Sequence, residues 1–322
     1  MAGIHVGGSR GCPCRREPRA VKRWLRGCGL AVGMFVVAVA SADLPVPPWG
    51  VVGEPAGTGS WPAIAEYRKE LPGHTIYRPL QLPDRVLPVV LWGNGACRDN
   101  GLGYSAFLRE IASHGYFVIA LGRPRSERRG VAAPTERLEP DETSPEQVIE
   151  GLDWAVRENA AAGGSLYRRL DLARVAVMGH SCGGLQALAV SPDPRITTTV
   201  LFNSGVYVRG RGRSGVRIDK EILARLHGPI AYFTGGPDDM AHPNALDDLQ
   251  RIDRVPAFLG ALPVGHSGTF WSEAHGGEWA AVAVHWLDWQ LGGSPAAASY
   301  FAGPACTLCT DPRWTVIRRR LD

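Results

Sequence analysis

Six apolar runs, each closing on or beside a glycine, constrain this chain more than any other feature. They are "LPVVLWGNGA" (87–96), "YFVIALG" (116–122), "RVAVMGHS" (174–181), "ITTTVLFNSG" (196–205), "PIAYFTGG" (229–236) and "VPAFLGALPVG" (255–265). Continuous runs rich in Val and Ile, without a polar alternation, predict strands buried on both faces and therefore a parallel sheet. Helical patterns fall between them. "SAFLREIASHG" (105–115) places Phe107, Leu108 and Ile111 on one face, and "EWAAVAVHWLDWQL" (278–291) is strongly apolar. "SPEQVIEGLDWAVRENA" (144–160) opens with Ser144 as N-cap and Pro145 in the first turn. Strands alternating with helices predict an α/β fold: a mostly parallel open sheet with helices on both faces. In such sheets the functional groups collect at the carboxyl ends of strands, where the glycines and polar residues of this sequence lie.

No Pro/Ser-rich linker interrupts residues 60–292, so 43–292 reads as one domain with an extended lead-in over 43–60. Residues 293–322, with "CTLC" at 306–309, read as an irregular tail. The 45% hydrophobic and 20% charged content excludes a disordered chain. No large cap domain is expected, since 123–143 is polar, contains proline and reads as a surface loop.

Residues 1–42 have the layout of a signal peptide. Seven basic residues precede "GCGLAVGMFVVAVA", and "ASA" at 40–42 supplies small residues for cleavage. The apolar run is too short for a comfortable transmembrane span, so a secreted or periplasmic mature protein without a stable membrane span is expected. Without the leader, 28 basic residues face 30 acidic ones, and the formal charge moves from +4 to −2. That balance gives no argument for a nucleic-acid partner. Four cysteines remain, Cys97, Cys182, Cys306 and Cys309, an even number as pairing in an oxidising compartment requires.

"GHSCGG" (179–184) follows one predicted strand directly and opens a helix, the context of a nucleophile elbow. The turn needs small residues two before and two after the serine, here Gly179 and Gly183. That spacing puts Ser181 at the tip and leaves Cys182 beside it. A serine hydroxyl needs a base, and the base needs an orienting acid. "GGPDDMAHP" offers Asp238 and Asp239 after a later strand, and "VGHSGTF" offers His266 after the next. The tetrahedral oxyanion needs preorganised donors. The Cys182 amide and the loop "WGNGAC", through Gly95 or Ala96, are the candidates, with Asn94 supporting the loop. Cys97 follows Ala96, so two adjacent oxyanion donors predict a Cys97–Cys182 disulfide. Cys306 and Cys309 then pair locally.

With "LWGNGAC", "IASHGYFVIA", "GHSCGG", "GGPDDMAHP" and "VGHSGTF" in hand, residues 60–292 resemble the α/β-hydrolase superfamily, near its cutinase, polyester-hydrolase and chlorophyllase-like branch. The resemblance implies an α/β-hydrolase fold and a secreted esterase without a cofactor. The branch's D-x-x-x-P arrangement at the acid is matched by Asp239 and Pro243, which favours Asp239 over Asp238. Ala96 departs from the branch, whose polyester hydrolases tend to carry an aromatic residue or methionine there.

The expected function is therefore hydrolysis of small-molecule or polymeric carboxylic esters through an acyl-enzyme on Ser181. A serine peptidase or amidase, and a non-catalytic binding module on the same fold, are the alternatives. Trp61, Trp92, Asn94, Phe270 and Trp271 are candidates to line a substrate pocket, with ordinary core packing as the competing reading. "RGRGRSGVR" (209–217) reads as a solvated basic loop or a flap, and "HGG" (275–277) lies too late in the chain for an oxyanion motif. No H-E-x-x-H, zinc-like Cys/His cluster, Walker loop or dinucleotide fingerprint is present, so neither metal nor cofactor is expected.

Overall fold

The computed structural model describes residues 50–125, 142–208 and 216–321. The leader over 1–42, most of the 123–143 loop and all but the last two residues of the basic 209–217 segment lie outside the described residues.

All six apolar runs form strands: β4 (Leu87–Gly93), β5 (Phe117–Leu121), β6 (Leu170–His180), β7 (Thr198–Phe202), β8 (Ile230–Thr234) and β9 (Ala257–Ala261). They lie side by side in the order β5-β4-β6-β7-β8-β9, every pair parallel. Three strands earlier in the chain, β1 (Gly50–Ala56), β2 (Ala63–Tyr67) and β3 (His74–Pro79), extend the sheet antiparallel beyond β5. The result is a mixed, largely parallel sheet of ten strands with interleaved helices.

The tenth strand corrects the expectation for 293–322. These residues are not an irregular tail: short helices at Pro295–Ala298 and Thr307–Thr310 lead into β10 (Thr315–Arg319), which pairs antiparallel with β9. Its exposure alternates along the strand because one side of this edge faces water, which hides it from a search for apolar runs. Phe301 and Trp314 anchor the segment by packing against Phe233.

Helices cover both faces of the sheet. Along β4 the side chains alternate: Val90 and Trp92 join one core, and Val89 and Leu91 join the other. The first core packs against α1 (Ser105–Ser113) through Phe107 and against α5 (Gly277–Gln290) through Trp279 and Trp286. The second packs against α2 (Pro145–Ala160), α3 (Cys182–Val190) and α4 (His242–Arg251). Ser144 starts α2 as predicted: its backbone N–H donates to Gln147 Oε1 at 2.8 Å, one half of a capping box. α3 is apolar and buried almost throughout, so it places the residue before it rigidly against the sheet.

Candidate active site

β6 ends at His180 and α3 begins at Cys182, so Ser181 alone makes the turn between them. Its backbone sits at φ 52°, ψ −118°, a conformation that costs a non-glycine residue on the order of 1–3 kcal/mol. The surroundings enforce it. The Ser181 N–H donates to Phe202 O at 2.9 Å, and the Ser181 carbonyl accepts from Ser204 Oγ at 2.7 Å. The predicted glycine requirement is steric. A Cβ on Gly179 would come within 2.2 Å of Gly183 O, and one on Gly183 within 2.1 Å of the Gly93 backbone. Helix, elbow strand and β4 therefore close on one another at backbone contact.

The loops after β8 and β9 deliver the acid and the histidine. His266 Nε2 lies 2.9 Å from Ser181 Oγ, and His266 Nδ1 lies 2.6 Å from Asp239 Oδ1. Asp238, the alternative acid, is exposed, whereas Asp239 is fully buried. Asp239 Oδ1 also accepts from the Ala241 N–H at 2.9 Å, and Oδ2 accepts from the Gly235 N–H at 3.0 Å and Asn203 Nδ2 at 2.8 Å. Burial pushes the Asp239 carboxyl up, but the hydrogen bonds from His266, Ala241 and Gly235 outweigh it and hold it at about 2. An ionised Asp239 only accepts, so Nδ1 of His266 carries a proton, and in the neutral ring that leaves Nε2 as the acceptor facing the serine hydroxyl.

Asn203 was not foreseen. It stands at the end of β7 in the left-handed region, φ 48°, and its Oδ1 accepts from Trp279 Nε1 at 3.1 Å. In sequence, "FNSG" at a strand end reads only as turn chemistry. The useful signal is the position itself, since strand ends are where polar groups converge.

The loop after β4 is organised by Asn94. Its Nδ2 contacts the carbonyls of Arg98, Asn100 and Leu121, and its Oδ1 accepts from Trp92 Nε1 at 3.0 Å. Ala96 and Cys97 both adopt positive φ, 53° and 50°. The two expected disulfides are present, Cys97–Cys182 with Cα atoms 5.2 Å apart and Cys306–Cys309 at 5.0 Å. The first ties the residue after Ala96 to the residue after Ser181.

Gly95, also considered as an oxyanion donor, donates its N–H to Tyr104 Oη at 3.1 Å. Among the described residues, neither the Ala96 nor the Cys182 amide makes a backbone hydrogen bond outside the helices and strands.

A pocket of about 600 Å³ opens beside Ser181 and His266. Its apolar wall includes Leu185, Tyr207, Met240 and Leu246, and Asn244 and Gln250 add polar groups. Three of the proposed lining residues are corrected: Trp92, Asn94 and Phe270 are each no more than 1% exposed and belong to the interior. Trp92 and Phe270 pack in one aromatic cluster with Phe107 and Phe202. Trp271 is half-buried, donates from Nε1 to Gly103 O at 2.8 Å and does not line this pocket. Trp61 lies under the Arg85 guanidinium, 4.8 Å from ring centroid to Cζ, beside Gly115. Of these wall residues Leu185 lies on α3 and Leu246 on α4, whereas Tyr207 and Met240 sit on loops, where an apolar side chain carries no periodicity.

Other histidines have separate partners. His242 begins α4 with Nδ1 2.8 Å from Thr234 Oγ1, His285 stacks on Tyr300 at 3.6 Å, and His114 and His275 both face Glu110. Among the described residues no group of three His, Cys, Asp or Glu side chains is placed to hold a metal ion, and no helix is long and apolar enough to cross a membrane.

No model of a known protein family matches this chain, and no curated protein matches it.

Proposed function

We propose that this protein is a serine hydrolase of carboxylic esters, built on an α/β-hydrolase fold and akin to the cutinase, polyester-hydrolase and chlorophyllase-like branch of that superfamily. The observation that carries the reading is the hydrogen-bonded file Ser181–His266–Asp239, 2.9 Å and 2.6 Å long, on a strained strand-to-helix turn. The antiparallel-flanked parallel sheet, with the serine after one strand and the acid and histidine after later ones, supports the fold assignment. Two disulfides fit an extracellular or other oxidising compartment.

In this reading an ester occupies the pocket with its carbonyl over the elbow. His266 Nε2 takes the Ser181 proton as Oγ attacks, and buried Asp239 stabilises the imidazolium that forms. The carbonyl oxygen becomes an oxyanion facing the Ala96 and Cys182 amides. His266 then returns the proton to the departing alcohol oxygen, leaving an acyl group on Ser181. Water, deprotonated by the same imidazole, attacks that acyl carbon, and the imidazolium returns the proton to Ser181 Oγ as the bond to the acyl carbon breaks and the acid leaves. The site needs nothing from solution other than water.

The test is covalent labelling by a fluorophosphonate, followed by turnover of short-chain p-nitrophenyl esters against matched peptide amides. Labelling at Ser181 that disappears in Ser181→Ala, with esters preferred, is the expected result. Preferred cleavage of amides turns the assignment to a peptidase or amidase. An unlabelled wild-type protein leaves only a binding module.

A further inference from the structure

The interior behind the elbow holds two ionisable side chains that the proposed reaction does not use. His180, immediately before Ser181, is 1% exposed, and Tyr104 is 6% exposed. His180 Nδ1 lies 2.7 Å from Tyr104 Oη, and His180 Nε2 lies 2.9 Å from the backbone carbonyl of His266. Tyr104 Oη also accepts the Gly95 N–H at 3.1 Å. The file therefore begins in the loop that carries Ala96 and ends on the backbone of the histidine facing Ser181.

The chemistry of the ends dictates where every proton sits. The Gly95 amide can only donate, and the His266 carbonyl can only accept. A carbonyl opposite Nε2 requires a proton there. Burial, with the nearby His266, pushes the His180 imidazole down to about 3, so it stays neutral and its Nδ1 is bare. Tyr104 must then give its hydroxyl proton to Nδ1. The order is Gly95 N–H to Tyr104 O–H to His180 Nδ1, then His180 Nε2–H to His266 O.

We propose that Tyr104 and His180 are a positioning pair for the ester hydrolysis inferred above: this one-directional file sets the separation between the oxyanion loop and the loop bearing His266. The inference rests on that functional reading for what is being positioned. Both loops need such a tether. The His266 loop contains Gly265 at φ 71° and Gly268 at φ 56°, and the oxyanion loop carries Ala96 and Cys97 at positive φ in succession. Gly95 is pressed onto the pair, since a Cβ there would lie 2.4 Å from Tyr104 Oη and 2.5 Å from His180 Nδ1. His180 is enclosed by Tyr104, Phe270 and the His266 ring, and neither member of the pair lines the pocket. The pair acts on the reaction only through the two loops it joins.

Tyr104→Phe removes the hydroxyl and keeps the ring; His180→Leu removes both ring nitrogens. His180→Gln restores an acceptor towards Tyr104 and a donor towards the His266 carbonyl. Each variant is compared with wild type for thermal midpoint, kcat and KM on a short-chain ester, and the rate of fluorophosphonate labelling. The expected result for Tyr104→Phe and His180→Leu is a fall of about 10- to 100-fold in both kcat and labelling rate, since small misplacements of reacting groups carry losses of that size. KM should stay within about twofold, because ground-state binding is untouched. The double variant should lose no more than the worse single one, and His180→Gln should recover much of the loss. Folded variants with wild-type kcat and labelling rate overturn the proposal, as does a raised KM with unchanged kcat. If His180→Leu does not fold, Tyr104→Phe and His180→Gln decide alone. A wild-type protein that is labelled but cleaves no ester removes the ester assignment, and the labelling rates then judge the pair. An unlabelled wild type overturns both.

Discussion

Asn203 Nδ2 donates to Asp239 Oδ2 at 2.8 Å, and the same side chain accepts the Trp279 indole N–H at 3.1 Å. One amide thereby joins the carboxylate of the site to the aromatic core behind it. Asn203→Leu strands a buried donor and weakens the hold on the carboxylate, so a stability loss of about 1–3 kcal/mol is expected in urea denaturation. Activity should fall less than in Asp239→Asn, which presents the wrong tautomer of His266 and should lower kcat by about 10⁴-fold. Equal kcat losses in the two variants would show that Asn203 is not subordinate to the acid.

The glycines of the elbow differ sharply from Gly73. Gly183→Ala drives a Cβ to 2.1 Å from the Gly93 backbone, which has no flexible end to yield. We expect soluble protein to be lost, or stability to drop by about 3 kcal/mol or more. Gly73→Ala meets only the Gln147 amide at 3.6 Å and serves as the contrast. It should be neutral or stabilising by up to about 1 kcal/mol. Thermal melts of both variants check the pair.

The two disulfides should separate in their effects. Cys97–Cys182 closes a separation of 85 residues and Cys306–Cys309 one of 3. By loop entropy the first restrains the unfolded chain by about 4–5 kcal/mol and the second by about 2 kcal/mol. Replacing Cys97 and Cys182 together by serine should lower both the melting temperature and kcat, since that bridge ties the residue after Ala96 to the residue after Ser181. Replacing Cys306 and Cys309 should lower only the melting temperature. An unchanged kcat in the first variant would remove the bridge from the oxyanion geometry.

Asp248 gives a pH signature. It is fully buried on α4, with Oδ1 2.6 Å from Lys220 Nζ and Oδ2 accepting the Val206 N–H at 2.8 Å. Burial outweighs these partners and pushes its carboxyl up to about 6 from an ordinary value of 3.8. The folded state therefore binds this proton more tightly than the unfolded chain does. Its stabilising contribution is complete below about pH 4 and is lost as pH rises through about 6. Wild-type stability should fall relative to Asp248→Asn between those values in urea midpoints taken at each pH. Parallel pH curves for the two proteins would refute the assignment.

The parallel strands were legible because burial on both faces leaves an unbroken apolar run, as in "VVLWG" and "VAVMG". The antiparallel strands were not: β1 and β10 are edge strands in which exposed residues interrupt any apolar run, and β2 and β3, although interior, are short and carry Glu66 and Arg78. Ser181, His266 and the Asp238/Asp239 choice could be read from order and strand-end placement, and the resemblance favoured Asp239; its burial and its contact with His266 are supplied only by tertiary structure. His180 adjoins Ser181 in sequence, but nothing in the sequence shows that its ring meets Tyr104 and the His266 carbonyl. Trp92 and Phe270 misled because an aromatic residue near a strand end or in the loop that follows fits a pocket and a core equally well until neighbours are known.

The Cys97–Cys182 bond also reports on registry. β4 and β6 run side by side with Val89 opposite Val175 and Gly93 opposite Gly179, and each cysteine follows its strand closely. A slip of β6 by two residues keeps every side chain on its proper face, so hydrophobic patterning alone does little to reject it. It would, however, carry Cys182 about 6–7 Å along β4, beyond the reach of a disulfide. Only the correctly aligned sheet can be oxidised at this position. Sulfur chemistry thus proofreads the alignment of the two central strands, and a mispaired chain remains chemically distinguishable by its free thiols.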